Sequence, residues 1–202
     1  MKVIEQLLAS AGISPIAGVD EAGRGACAGP LVIASVVLHD PFAAELAVVR
    51  DSKEIPESKR DAVFELIQSI AASVSVVIVP AAEVDARGVH AANLDGMRRA
   101  VQGLDVEPAY VLTDGYAIEG LGVPNLAVWK GDQVVVSISA ASVIAKVTRD
   151  RIMREMDEEF PLYGFAGHKG YITAAHTKAL NEHGPCAQHR TSFANVAALI
   201  HK

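Results

Sequence analysis

Four carboxylates stand where apolar runs of strand length give out: Asp20 and Glu21 after Ile16 to Val19, Asp114 after Tyr110 to Thr113, and Asp132 just after Leu126 to Trp129. In an α/β sheet the strand ends are where ligand crevices form, so acids carried by different strands can converge there. No His or Cys accompanies the four acids, and an all-oxygen donor set suits Mg²⁺ or Mn²⁺ better than zinc or copper. Clustered carboxylates repel and raise one another's pKa values, a cost that two divalent cations relieve. Two such ions sit about 3.5–4 Å apart; one generates hydroxide for in-line attack and the other stabilises the leaving oxygen, so phosphodiester hydrolysis is the natural reaction. Singly, each acid is also ordinary turn chemistry, since Asp beside Gly commonly closes a strand.

The second distinctive stretch runs Asp20-Glu21-Ala22-Gly23-Arg24-Gly25-Ala26-Cys27-Ala28-Gly29-Pro30. It holds neither G-x-x-x-x-G-K-[ST] nor a G-x-G-x-x-G opening a helix, which counts against nucleoside triphosphates and dinucleotides as ligands. Glycines on either side of Arg24 let the backbone approach a sugar or phosphate closely. The same Gly-x-Gly can equally form a plain hairpin bend.

These residues need a scaffold. Ile16 to Val19 and Leu31 to Leu38 read as a strand pair joined by the glycine-rich turn. Ser58 to Ala72 has helical apolar spacing at Val63, Leu66, Ile67 and Ile70, and Val74 to Val79 reads as a strand stopped by Pro80. His90 to Leu104 reads as a helix, Tyr110 to Thr113 and Leu126 to Trp129 as short strands, bringing the strand count to five. Val134 to Phe160 reads as one long helix whose first half is rich in small residues and can pack tightly. After Pro161 come a turn-rich segment and two further helices, Thr173 to Asn181 and Phe193 to Ile200. The expectation is one α/β domain over 1–202, with a catalytic core over 1–160 and a C-terminal helical extension over 161–202.

At 202 residues and 50% hydrophobic composition, the chain can bury roughly 70% of its unfolded surface without staples. Cys27 and Cys186 form no C-x-x-C pair, which excludes a disulfide framework or zinc knuckle and suggests a reducing compartment. The Met1 to Leu8 start carries an early acid and too short an apolar run for a signal peptide, and no run reaches membrane-spanning length, so the cytoplasm is expected. The net charge of −6 speaks against a nucleic-acid partner, yet it conceals an asymmetry. Residues 146–202 hold 8 Lys/Arg against 6 Asp/Glu, or +2, while residues 1–145 hold 10 against 18, or −8. A polyanion would be met by the C-terminal part.

The block from Gly18 to Pro30 resembles the signature of bacterial ribonuclease HII. The resemblance continues through Asp51-Ser52-Lys53, Thr113-Asp114-Gly115, Lys130-Gly131-Asp132, Ser139 to Asp150, Tyr163-Gly164-Phe165, His168-Lys169-Gly170-Tyr171 and His189 to Phe193, so it covers nearly the whole chain. One departure is Lys53-Glu54-Ile55, where many relatives carry a second lysine and a leucine. The resemblance implies a ribonuclease H-like fold with a five-stranded mixed sheet flanked by helices. It also implies that Asp20, Glu21, Asp114 and Asp132 are the metal-binding, catalytic set. It further implies that the Gly23-Arg24-Gly25 backbone reads the ribose 2′-hydroxyl at an RNA–DNA junction, and that Tyr171 packs on the sugar of the following deoxynucleotide. A 2′-hydroxyl is the group by which a protein tells RNA from DNA.

Lys53 and Lys146 are candidate phosphate contacts; Lys169, Arg149 and Arg190 are phosphate contacts or structural supports. His168 reads as a hydrogen-bonding group of its turn and not as a catalyst. Asp150 reads as a surface or supporting ion pair flanked by Arg149 and Arg151. The expected activity is cleavage of the RNA strand of RNA/DNA hybrids and incision 5′ to ribonucleotides embedded in duplex DNA, leaving 3′-hydroxyl and 5′-phosphate ends, with two Mn²⁺ or Mg²⁺ ions. A monomer without an obligate protein partner is expected. Two rivals are a phosphohydrolase of small esters, which needs no polymer, and a non-catalytic nucleic-acid-binding module, which should lack one of the four acids.

Overall fold

β1 (Ile16–Ala22) and β2 (Leu31–Leu38) pair antiparallel on either side of the glycine-rich turn. β2 is apolar except for Ser35 and is buried at every position, so it must be covered on both faces. The computed structural model describes residues 3–49 and 51–200; the first two residues of the N-terminal segment weighed above lie outside them.

β3 (Ala71–Val79) continues the sheet antiparallel to β2, while β4 (Tyr110–Asp114) and β5 (Asn125–Val128) extend it parallel on the other side of β1. The order is β3-β2-β1-β4-β5, a five-stranded mixed sheet. The helices are α1 (Val3–Ser10), α2 (Glu57–Ile70), α3 (Ala81–Arg87), α4 (Val89–Gln102), α5 (Gly131–Val134), α6 (Val136–Glu159), α7 (Phe165–His168), α8 (Ala174–His183) and α9 (Ala194–Ile200). The two-residue period of β2 divides the core. Val32, Ala34 and Val36 pack with Phe64 and Ile67 of α2 and Ala140 and Ile144 of α6. Leu31, Ile33 and Val37 pack with Met97, Ala100 and Val101 of α4 on the opposite face.

The small residues that open α6 let it lie directly on β1. A Cβ at Gly18 would fall 2.1 Å from the Ser137 carbonyl carbon, so glycine is required there by contact. The helix expected from Val134 is divided, because Val135 takes an extended conformation between α5 and α6. The first free N–H groups of α6 are satisfied from a distance: the buried Glu5 carboxylate accepts from Val136 N and Ser137 N, each at 3.0 Å.

Two boundaries differ from the sequence reading in a way that matters for the site. β1 runs through Ala22, so Asp20 and Glu21 lie within the strand, opposite Ala34 and Ile33 of β2. Asp114 is likewise the last residue of β4. Backbone pairing with β2 carries β1 past the end of its apolar run, since ladder hydrogen bonds do not depend on side-chain polarity. The C-terminal residues return to the core through a bridge between Ala28 and His189.

Candidate active site

The parallel register of β1 and β4 ends at Val19 opposite Thr113. Asp20 and Asp114 come next on each strand, side by side at the carboxyl end of the sheet. Asp132 enters from α5, aimed by Lys130, whose φ of 54° places it in the left-handed region just before that helix. Asp20, Asp114 and Asp132 each offer an oxygen within 4.8 Å of the others. Glu21 lies outside that trio but lines the same cleft as Asp20 and Asp114. Its Oε2 is buried without a hydrogen-bond partner among the described residues.

Backbone N–H groups hold the Asp20 and Asp114 carboxylates, and Ser139 holds the main chain at Asp132. Asp20 Oδ1 accepts from Glu21 N at 2.7 Å, Asp114 Oδ1 accepts from Gly131 N at 2.7 Å, and Ser139 donates to the Asp132 carbonyl at 2.6 Å. Burial, then the charges of Glu21 and Asp114, push the Asp20 pKa well above the usual carboxylate range. Burial raises Glu21 to about 7; Arg24 opposes the shift and Asp114 adds to it. Asp132 is raised by burial, Asp51 and Asp114, while Lys53 pulls it down. Lys53 Nζ stands 3.6 Å from Asp132 Oδ2 and 3.9 Å from Asp51 Oδ1. Asp51, within the Asp51-Ser52-Lys53 block, is a fifth, buried acid that shares Lys53 with Asp132. Hard oxygen donors, an unpartnered buried carboxylate oxygen and upward shifts together fit the binding of Mg²⁺ or Mn²⁺.

The glycine-rich turn is built around two arginines. Arg149 and Arg190 were expected as phosphate contacts or supports; both are fully buried, and they are supports. Arg149 donates to the carbonyls of Pro30 at 2.9 Å, Lys169 at 2.8 Å and Ala28 at 3.1 Å. Arg190 donates twice to Gly29, at 3.0 and 3.1 Å, and once to the Arg24 carbonyl at 3.2 Å. Turn carbonyls outside any ladder need such donors, which is why two charges can be buried here. Gly23, at φ 90°, is required by this core: a Cβ there would lie 2.0 Å from Arg149 Nε. Gly25 meets nothing within 4 Å and is exposed, so its backbone is open to a ligand. Arg24 lays its guanidinium 4.7 Å from the Tyr116 ring.

Tyr171 and Lys146 line a cleft of about 380 Å³ together with Asp20, Glu21, Lys53 and Asp114. The Tyr171 ring sits 5.3 Å from the Arg149 guanidinium and 5.9 Å from Lys146 Nζ. Lys146 pairs with Asp150 at 2.6 Å, and Arg60 approaches that same acid at 3.8 Å. Asp150 is therefore a buried ion pair, and its partners are not the flanking Arg149 and Arg151; Arg151 pairs with Asp61. His168 orders its turn as expected, with Nε2 2.7 Å from the Tyr163 carbonyl and Nδ1 accepting from Gly170 N at 3.1 Å. Behind Tyr171, His176 Nδ1 meets the Tyr171 carbonyl at 3.0 Å and His176 Nε2 meets His189 Nε2 at 3.1 Å. His189 opens the His189 to Phe193 block, but His176 belongs to no motif, and nothing in the sequence pairs the two imidazoles.

The family model described as Ribonuclease HII matches residues 17–196. A protein named Ribonuclease HII from Acidothermus cellulolyticus is 58% identical over 192 residues, covering 95% of this chain but 62% of the relative. One of the same name from Rhodococcus erythropolis is 58% identical over 198 residues, covering 98% of this chain and 88% of the relative. Among solved structures, the ribonuclease H2 of Pyrococcus horikoshii superposes with a TM-score of 0.78 at 26% identity, covering 91% of this chain and 96% of that one. With its mixed sheet, its clustered carboxylates and this match along nearly its full length, the chain belongs to the ribonuclease HII family of ribonuclease H hydrolases.

Proposed function

We propose that the chain is an endonuclease that cuts the RNA strand of RNA/DNA hybrids and incises duplex DNA on the 5′ side of an embedded ribonucleotide, leaving a 3′-hydroxyl and a 5′-phosphate. The observation that carries this reading is the meeting of Asp20, Asp114 and Asp132 within 4.8 Å, where a cleft holding Asp20, Glu21, Asp114 and Tyr171 borders one holding Glu21, Asp114 and Asp132. Asp20, Glu21, Asp114 and Asp132 are assigned as metal ligands and catalytic residues. Two Mn²⁺ or Mg²⁺ ions bound there would activate the attacking water and neutralise charge on the leaving oxygen.

The chain's own residues supply position and selectivity. The open backbone at Gly25, with Gly23 and Arg24 beside it, reads the ribose 2′-hydroxyl; DNA lacks that group and forfeits the hydrogen bonds. Tyr171 packs against the sugar of the next deoxynucleotide, its ring backed by the buried Arg149. Lys53, exposed beside Asp132, and Lys146, on the wall of the cleft, contact the phosphates. The two free thiols, Cys27 and Cys186, suit a reducing compartment such as the cytoplasm.

Asp20→Asn and Asp114→Asn should each abolish cleavage while circular dichroism and melting show an intact fold. Substantial remaining activity would remove those residues from the assigned roles. Hydrolysis of a small phosphodiester as efficiently as a ribonucleotide-containing duplex would favour a small-ester hydrolase.

A further inference from the structure

Trp129 is the only tryptophan of the chain and is 82% exposed, the most exposed large apolar side chain among the described residues. It lines a second cleft of about 530 Å³ that shares Glu21, Lys53 and Asp114 with the cleft holding Tyr171. The two clefts thus meet over the carboxylates, with Tyr171 on one arm and Tyr116 and Trp129 on the other. The Trp129 arm also carries the cations Arg24 and Lys130.

The attachment of the indole is fixed relative to the carboxylates. The residue before it, Val128, accepts from Gly115 N at 3.1 Å. The residue after it, Lys130, holds a left-handed conformation, and Gly131 donates to the Asp114 carboxylate at 2.7 Å. An exposed aromatic face on a fixed turn, in a cleft that also carries cations, is the arrangement that takes a nucleotide base or sugar by stacking while cations meet the backbone.

We infer that this second cleft is a subsite for the DNA flank on the 5′ side of the cut, with Trp129 as its stacking platform. The inference rests on the function proposed above, which sets the direction. The ribonucleotide lies at Gly23 to Gly25, the nucleotide 3′ to it lies at Tyr171, and the phosphate 5′ to it lies at the carboxylates. The same strand, continued past the carboxylates away from Tyr171, enters the cleft under Trp129. The side chain makes no covalent or proton-transfer step; it contributes to binding of the upstream strand, equally in the ground and transition states.

The test is steady-state cleavage of a duplex with one ribonucleotide by wild-type protein, Trp129→Ala and Trp129→Phe. Trp129→Ala should raise KM about tenfold, equal to about 1.4 kcal/mol, while kcat changes little. Trp129→Phe should restore most of the loss. Cutting the 5′ flank back to one nucleotide should bring the wild-type and Trp129→Ala values of KM together, whereas shortening the 3′ flank should not. In EDTA, titration with the full duplex should quench the fluorescence of the single tryptophan. An unchanged KM with undisturbed fluorescence would leave the ring for a protein partner and overturn the subsite. Wild-type protein that cuts neither hybrid nor ribonucleotide-containing duplex would overturn the parent reading instead, a result separable from failure of the Trp129 variants alone.

Discussion

Glu21→Gln should stabilise the metal-free protein at pH 8. Burial and the nearby Asp114 charge lift the Glu21 carboxyl from 4.5 to about 7 in the folded chain. A raised acid pKa means that the native state binds more protons than the unfolded state between those values, so stability falls as pH rises through that window. Above pH 7 the folded chain carries the full penalty, roughly 3 kcal/mol as an upper bound; below about pH 4.5 the penalty is absent. Glutamine keeps the shape and removes the charge. For a chain of this length roughly 3 kcal/mol corresponds to about 6–12 °C in Tm, so even a fraction of it is measurable. The assay is differential scanning calorimetry of both proteins in EDTA at pH 5 and pH 8, repeated with Mn²⁺. The variant should melt higher than wild type at pH 8 and match it more nearly at pH 5. Mn²⁺ should raise the wild-type Tm more than that of the variant, since bound cation offsets the same repulsion. A variant that melts lower at pH 8, or a difference that ignores pH, would refute the idea that the carboxylate cluster is strained without metal.

Other outcomes follow from the same geometry. Gly25→Ala should change stability by less than about 1 kcal/mol, as open space surrounds it, yet lower cleavage beside a ribonucleotide at least about tenfold by crowding the sugar. Gly23→Ala, at φ 90° and against Arg149, should instead cost about 3 kcal/mol of stability, read by urea unfolding. Glu5→Ala should cost about 1–2 kcal/mol by leaving two α6 N–H groups unsatisfied, with kcat unaffected if the helix stays docked. Burial and the neighbouring His176 depress His189 to about 4. Its unfolded form therefore takes up a proton first, and stability should fall as pH drops from about 6.5 to 4. His189→Gln should flatten that part of a stability-against-pH curve, and an unchanged slope would remove the imidazole pair from this role.

The legible parts of the molecule were those governed by local pattern. β2 is a continuous apolar run, and α2 and α4 carry helical apolar spacing, so each was readable within a few residues. Asp20, Asp114 and Asp132 were readable because they stand at the ends of such runs, and the sheet register then brings them together. What escaped depends on distant partners. The Glu5 cap of α6 joins residues 131 apart in sequence. For Arg149 and Arg190 the sequence leaves phosphate contact and structural support as alternatives, since arginine is seldom fully buried, and only the folded glycine-rich turn presents the carbonyls that make them supports. The pairing of Asp150 with Lys146 and Arg60 was missed for a related reason: a helical neighbour pattern does not show which side of the helix is buried. α1, α3, α5 and α7 are not legible in the sequence, being single or double turns with too few residues to show a period.

In the function proposed above, a metal-loaded carboxylate cluster cuts next to a ribose recognised by the glycine-rich turn. Cleavage of an end-labelled DNA duplex containing one ribonucleotide, with and without Mg²⁺ or Mn²⁺ and beside an all-DNA control, tests it most directly. A metal-dependent nick should appear immediately 5′ to the ribonucleotide, with none in the all-DNA duplex and none with Asp20→Asn. No incision at the ribonucleotide, or equal cutting of the all-DNA control, would contradict it.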